Sequence, residues 1–253
     1  MIAVRDRPLT IFAPGSIAPV RDALRQGFAS IAPTTALRFH PPAYSGLLAA
    51  EIQQGAPADV FISANPRYMA DLHRRGLVPR PAILARNALC LVVRAGAAGE
   101  VSHPRDVLQP GRRLLIPPAA HDPLGEYIEA MLANQGYADL LAAKRSRGEV
   151  VETLASAAAL FADGTLDAAF VYCTSAPALA PAAIVVPLST DAAWSDHITF
   201  TVGVVGHSAW VHPAGAAFVD YLLDPAGQAV LLAGGFLPSP RLATWPNWIG
   251  DVR

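Results

Sequence analysis

YSGLLAAEIQQGAPADVFISA, residues Tyr44 to Ala64, is the stretch from which the fold of this chain is read. Ser45 can cap a helix. Leu47, Leu48 and Ile52 recur at helical spacing and give it an apolar face, and Gly55 with Pro57 stops it. A short apolar strand follows at Val60 to Ser63. A serine at a helix start places a hydroxyl beside backbone N–H groups that have no partner within the helix, which is a recipe for holding an anion. The same recipe serves plain helix capping, so alone it proves little.

The pattern continues on both sides. Upstream, Leu9 to Ala13 is an apolar strand, followed by Pro14-Gly15-Ser16 and a helix in which Val20, Leu24 and Phe28 recur every four residues. Ser16 is thus a second capping serine after a strand. Ala36 to His40 reads as another strand, and Asn65-Pro66 starts a helix that Gly76 ends. Strand-helix alternation of this kind implies a parallel sheet with right-handed crossovers. Leu89 to Val93 is a continuous apolar run suited to burial on both faces, after which the alternation restarts. Leu114 to Ile116 is a strand, Tyr127, Ile128, Met131 and Leu132 line one side of a helix, and Thr153 caps a helix containing Leu154 and Phe161. Ala168 to Tyr172 is a strand ending in a phenol, and a long strand runs from Ile198 to Val205 before two closing helices. The tail from Pro238 to Arg253, with its prolines and tryptophans, reads as an extended surface segment.

The expected architecture is α/β: two Rossmann-like lobes joined by two hinge crossings, near Leu89 to Val93 and Ile198 to Val205, with 1–90 and 200–253 in lobe 1 and 91–199 in lobe 2. Ser16, Ser45 and Tyr172, each at the C-terminal end of a strand, are expected to face a cleft between the lobes.

Composition narrows the function. Of 253 residues, 53% are hydrophobic and 15% charged, which suits a well-buried globular chain. The net charge of -1, with scattered Lys and Arg, leaves no electrostatic footprint for nucleic acid or an acidic membrane. Cys90 and Cys173 match no metal or redox spacing and read as two buried thiols, which do not settle the compartment. The seven histidines show no HExxH spacing, and GHSAW around Ser208 lacks the last glycine of a nucleophile elbow, so neither a metal site nor a cofactor is expected.

Six segments in this order, LTIFAPGS (Leu9 to Ser16), SGLLAAEIQQGAPADVFISA (Ser45 to Ala64), ARNALCLVV (Ala85 to Val93), DPLGEY (Asp122 to Tyr127), LDAAFVY (Leu166 to Tyr172) and FVDYLLDPAGQAVLLAGGF (Phe218 to Phe236), resemble the periplasmic molybdate-binding proteins of ABC importers. The resemblance spans nearly the whole chain. It implies the type II periplasmic-binding-protein fold and an uncharged oxyanion pocket: the hydroxyls of Ser16 and Ser45, the phenol of Tyr172, and backbone N–H groups near Leu124 and Leu154. Neutral donors at helix N-termini suit molybdate or tungstate, because a fully deprotonated tetrahedral dianion only accepts hydrogen bonds. The implied partners are that small oxyanion and an ABC transporter permease, with the binding protein a monomer and no chemistry done. A leader removed ahead of Met1 would place it in the periplasm, whereas a native start at Met1 would leave it cytoplasmic.

Two positions depart from the family pattern. Asp122 replaces an apolar residue ahead of the Pro-x-Gly turn, between His121 and Glu126, and Tyr44 replaces a small polar residue. Both are candidate ligand-selectivity positions. A carboxylate beside a dianion repels it unless paired or turned away. An Asp122 facing the ligand favours an anion carrying its own donor. The alternative is therefore the same fold binding or processing a small organic acid, as an enzyme or sensor, with Asp122, His40 or Tyr172 as acid or base. Plain readings stand beside these: capping for the serines, a core tyrosine for Tyr172, and complementation of a helix dipole for Asp122 and Glu126.

Overall fold

The computed structural model describes residues 7–153, 157–189, 193–206 and 211–239. The chain forms two compact units. Unit 1 comprises residues up to Arg86 together with those from Thr199 onward, and unit 2 runs from Asn87 to Ile198.

Unit 1 carries a five-stranded sheet built from β1 (Leu9–Phe12), β2 (Leu37–Phe39), β3 (Val60–Ser63), β4 (Ala82–Arg86) and β10 (Thr199–Val204), in the order β2-β1-β3-β10-β4. β1, β2 and β3 are parallel, and β10 runs antiparallel to both β3 and β4. Unit 2 repeats the plan with β5 (Leu89–Arg94), β6 (Leu114–Leu115), β7 (Val150–Val151), β8 (Ala168–Tyr172) and β9 (Ala183–Val186), in the order β7-β6-β8-β5-β9. Here β5 is the antiparallel strand, paired with β8 and β9. The sheets are therefore mixed rather than purely parallel, because the strand that crosses between units enters each sheet from the opposite direction.

The apparent single run ARNALCLVV is two strands in two sheets. β4 ends at Arg86, Asn87 turns the chain, and β5 begins at Leu89. Asn87 is fully buried, and its amide donates to Thr174 Oγ at 3.0 Å while its Oδ1 accepts the Ala88 N–H at 2.9 Å.

Helices α1 (Arg21–Ala29), α2 (Ser45–Gln53) and α3 (Pro66–Arg74) follow β1, β2 and β3. Gly55, at φ +91°, ends the α2 turn in the left-handed region that only glycine enters freely. Leu48 and Ile52 of α2 pack with Met69 and Leu72 of α3 onto Phe12 and Phe61 of the sheet, all essentially inaccessible. At about 1.5 to 3 kcal/mol for each large apolar side chain, this face holds α2 in place despite its weak amphipathicity. In unit 2, α4 (Pro104–Leu108), α5 (Pro123–Asn134), α6 (Ala138–Ser146) and α7 (Ala157–Ala162) are present, and α5 buries Tyr127, Ile128, Met131 and Leu132. Helices α8 (Gly215–Leu223) and α9 (Pro225–Ala233) return to unit 1. Three helices start at an Asx-Pro pair whose Asx side chain accepts a first-turn N–H: Asn65-Pro66, Asp122-Pro123 and Asp224-Pro225.

The sequence reading of the two cysteines is corrected. Cys90 and Cys173 are not thiols but a disulfide, with Cα atoms 5.0 Å apart. Strand pairing explains it: Cys90 lies opposite Val171, and Cys173, two residues further on, falls on the same face as its diagonal neighbour across the β5–β8 pair. The acid in GAPADVF also has a structural task. Asp59 is 1% exposed, accepts the Thr10 N–H at 2.7 Å and takes both Arg7 terminal nitrogens. The tail beyond Ser239, together with Ser208 and Trp210, lies outside the described residues.

Candidate functional site

In unit 1 the pairing of β1 with β2 continues past both strands as an isolated parallel bridge between Pro14 and Ala43. The two chains therefore leave the sheet side by side, with Ser16 two residues beyond one bridge residue and Ser45 two beyond the other. Neither serine caps a helix, contrary to the sequence expectation. Ser16 sits inside a 3-10 segment (Gly15–Val20) whose extended N-cap is Pro14, and Ser45 is the first residue of α2, with Tyr44 at the uncapped N-cap position. Each serine lies one or two places inside its helical segment, so its hydroxyl is not committed to that segment's amides.

What the hydroxyls do instead differs. Ser45 is fully buried, and its Oγ accepts the Ala64 N–H at 3.0 Å from the end of β3. Its proton is left to donate. Ser16 is 9% exposed, and its buried Oγ has no hydrogen-bond partner among the described residues. A buried hydroxyl left unpaired costs about 1 to 3 kcal/mol, a cost that a guest able to accept its proton would remove.

In unit 2, Tyr172 closes β8 and is 5% exposed. The Cys173–Cys90 disulfide follows immediately, and the Cys173 N–H donates to Ala88 O at 2.8 Å. The phenol thus stands on a strand end stapled to its neighbour.

The first turn of α5 is held against the loop before it. A Cβ on Gly125 would lie 2.0 Å from Pro117 O, so only glycine allows this approach. Asp122 caps the helix, its Oδ1 accepting the Leu124 N–H at 2.9 Å. The amide that the family resemblance assigns to the ligand is therefore occupied by this protein's own carboxylate. Asp122 is 8% exposed, and burial pushes its carboxyl up to about 6, opposed by the Leu124 N–H bond. Because the folded-state value lies above the ordinary one, Asp122's contribution to stability is complete below pH 4 and is lost as pH rises to about 6.

Leu154 lies outside the described residues. Tyr44 is half-buried, as is Glu126. His40, at the end of β2, stacks on Phe12 and is tied by Nδ1 to Pro41 O at 2.9 Å and by Nε2 to Glu51 at 3.3 Å. Among the described residues no cluster of three or more His, Cys, Asp or Glu side chains is arranged to hold a metal ion. The sequence reading missed Ala64, whose N–H fixes the Ser45 hydroxyl. Its signal was the small residue directly after the VFIS strand.

Residues 9–237 match the family model described as bacterial extracellular solute-binding protein. The chain is 27% identical over 240 residues to the molybdate-binding protein ModA of Haemophilus influenzae, covering 90% of this chain and 89% of that one. The periplasmic molybdate-binding protein of Azotobacter vinelandii superposes with a TM-score of 0.75 at 21% identity, covering 92% of this chain and 100% of that one. The sulfate-binding protein SubI of Mycobacterium tuberculosis also gives 0.75, at 18% identity, over 93% of this chain and 88% of that one. These two likenesses speak for the fold, two mixed α/β sheets in the type II periplasmic-binding-protein arrangement. With its family model matched from the first strand to the segment after the last helix, the chain belongs to the bacterial extracellular solute-binding proteins.

Proposed function

We propose that the protein captures a small tetrahedral oxyanion, molybdate or tungstate, and presents it to the permease of an ABC importer. The observation that carries this reading is Ser16 Oγ, a buried hydroxyl without a partner, on a chain that leaves the sheet beside the one bearing Ser45. Ser16, Ser45 and the Tyr172 phenol are neutral donors, and neutral donors match an ion that only accepts. Hydrogen bonds to a charged acceptor are worth roughly 1.5 to 3 kcal/mol each, so several offset the cost of immobilising the ion. Two of the similar proteins are named for molybdate. The Leu154 amide and, where Asp122 gives it up, the Leu124 amide are the further donors in this reading. The protein acts by binding, with ligand stabilising one of its populated conformations. It works outside the cytoplasm, in the periplasm, and a disulfide fits that oxidising compartment.

Thermal unfolding with molybdate, tungstate, sulfate, phosphate and a panel of carboxylates tests the ligand class. At a hundredfold its dissociation constant a ligand adds about 2.7 kcal/mol, which for a chain of this size raises Tm by roughly 5 to 10 °C. A rise with a carboxylate and with none of the oxyanions would overturn the reading in favour of an organic acid.

The two serines separate binding from folding. Ser16→Ala removes an unpaired hydroxyl, so the ligand-free protein should be as stable as the parent or slightly more so, while molybdate binding weakens by roughly ten- to a hundredfold. Ser45→Ala removes the Oγ that accepts the Ala64 N–H in a fully buried position and should lose about 1 to 2 kcal/mol of stability as well as affinity. Calorimetric unfolding and titration of both variants check this contrast; unchanged affinity in Ser16→Ala would remove Ser16 from the site.

A further inference from the structure

We propose that Asp122 couples anion capture to proton uptake: its carboxylate competes with the oxyanion for the Leu124 N–H and repels it, whereas the protonated acid holds that amide more weakly, carries no charge and adds its own O–H to the ligand. The inference rests on the oxyanion reading and adds the condition under which the site accepts a dianion.

Three observations carry it. Asp122 is nine-tenths buried, its Oδ1 holds the Leu124 N–H at 2.9 Å, and no basic side chain among the described residues pairs with it. The capping task does not need a charge. Asn65, equally buried at 7% exposed, caps α3 through the same contact, accepting the Arg67 N–H at 2.9 Å. A neutral amide there avoids the cost of burying a carboxylate, so what Asp122 offers beyond Asn65 is a proton that comes and goes.

The surroundings leave that titration to Asp122 itself. On its own segment the titratable groups are His121, exposed, Glu126, one turn on, the buried Tyr127, and Glu129, which pairs with Arg145. On α6, which packs on α5, Lys144 is engaged by Gln109 O and Glu149, Arg145 by Glu129 and Glu152, and Asp139 lies in the first turn. On β8, also packed on α5, the titratable group is Tyr172. Burial dominates and pushes the carboxyl up to about 6, inside the range a bacterial exterior visits. An ionised Asp122 beside a dianion sets two like charges on one helix terminus. The acid form removes that repulsion and supplies a donor.

Isothermal titration of micromolar molybdate, with sulfate as a dianion throughout, at pH 5.5 and 7.5 in two buffers of different ionisation enthalpy, reads the coupling. Binding should be roughly twentyfold tighter at pH 5.5, with close to one proton taken up per anion at pH 7.5. Asp122→Asn keeps the cap, as Asn65 does, and should bind equally at both pH values with no proton uptake. Equal affinity of the parent protein at the two pH values, or a pH dependence that survives in Asp122→Asn, would overturn this inference and leave the oxyanion reading standing. Failure of molybdate, tungstate and sulfate to bind at either pH would overturn both.

Discussion

Replacing Cys90 and Cys173 together with alanine should lower the unfolding free energy of unit 2 by about 4 to 5 kcal/mol. The bridge closes a loop with a sequence separation of 83, most of unit 2, and cross-linking a loop of that length removes a large share of the freedom of the unfolded chain. The folded state gives little back, since β5 and β8 keep their ladder from Leu89–Tyr172 to Val93–Ala168 without the sulfurs. Guanidinium unfolding followed by the hydrogen exchange of β8 amides checks it, with reduced parent protein as the second arm. A loss under about 1 kcal/mol in both arms would show that unfolded unit 2 is already restrained without the bridge. The bridge begins one residue after Tyr172, so anion affinity should fall in the same variant.

Asp59→Ala should cost about 3 to 4 kcal/mol and lower Tm by roughly 10 °C. Its carboxylate is 1% exposed and serves three donor nitrogens at once, Thr10 N and both terminal nitrogens of Arg7. Truncation takes the acceptor from the Thr10 N–H, at the heart of β1, and removes the Asp59 counter-charge from the Arg7 guanidinium. Asp59 also joins strands through its backbone, its N–H donating to Thr10 O at 2.9 Å and its O accepting the Val205 N–H at 2.8 Å. Asp59→Asn, which keeps shape and one acceptor, should recover about half of the loss; Tm values of the two variants decide. An Asp59→Ala protein as stable as the parent would mean that water replaces the carboxylate fully.

Local patterns in this chain spoke where the cause is local. Leu24 and Phe28, Met131 and Leu132, and the Asn65-Pro66 start are set by spacing and capping within a few residues, and the structure places them in the expected helices. The break at Asn87 was hidden, because ARNALCLVV has no glycine or proline and the turn is made by a buried amide reaching Thr174, far along the chain. The disulfide was hidden for the same reason, since pairing of β5 with β8 depends on the register of two distant strands. At the candidate site, the sequence located Ser16 and Ser45 at strand ends, with the oxyanion pocket implied by the resemblance and helix capping as the local reading. The capping reading failed at Ser45 because its partner is the Ala64 N–H at the end of another strand, which no spacing reveals. Asp122 was legible both as an exception and as a helix-start acid, yet its grip on Leu124 is a geometric fact.

The placement of β10 has a consequence for the birth of the protein. Val202 and Val204 lie opposite Ile62 and Val60 of β3, and the same strand joins β4, so unit 1 lacks its fourth strand in sheet order until nearly two hundred residues have been made. Unit 2 is contiguous and meets no such wait. As the chain leaves the ribosome, unit 2 has all its strands first, while the edge of β3 stays open and adhesive. The nascent protein therefore passes through a stage in which half of it is ready and the other half needs shielding, and the last strand to arrive is the one that ends that exposure.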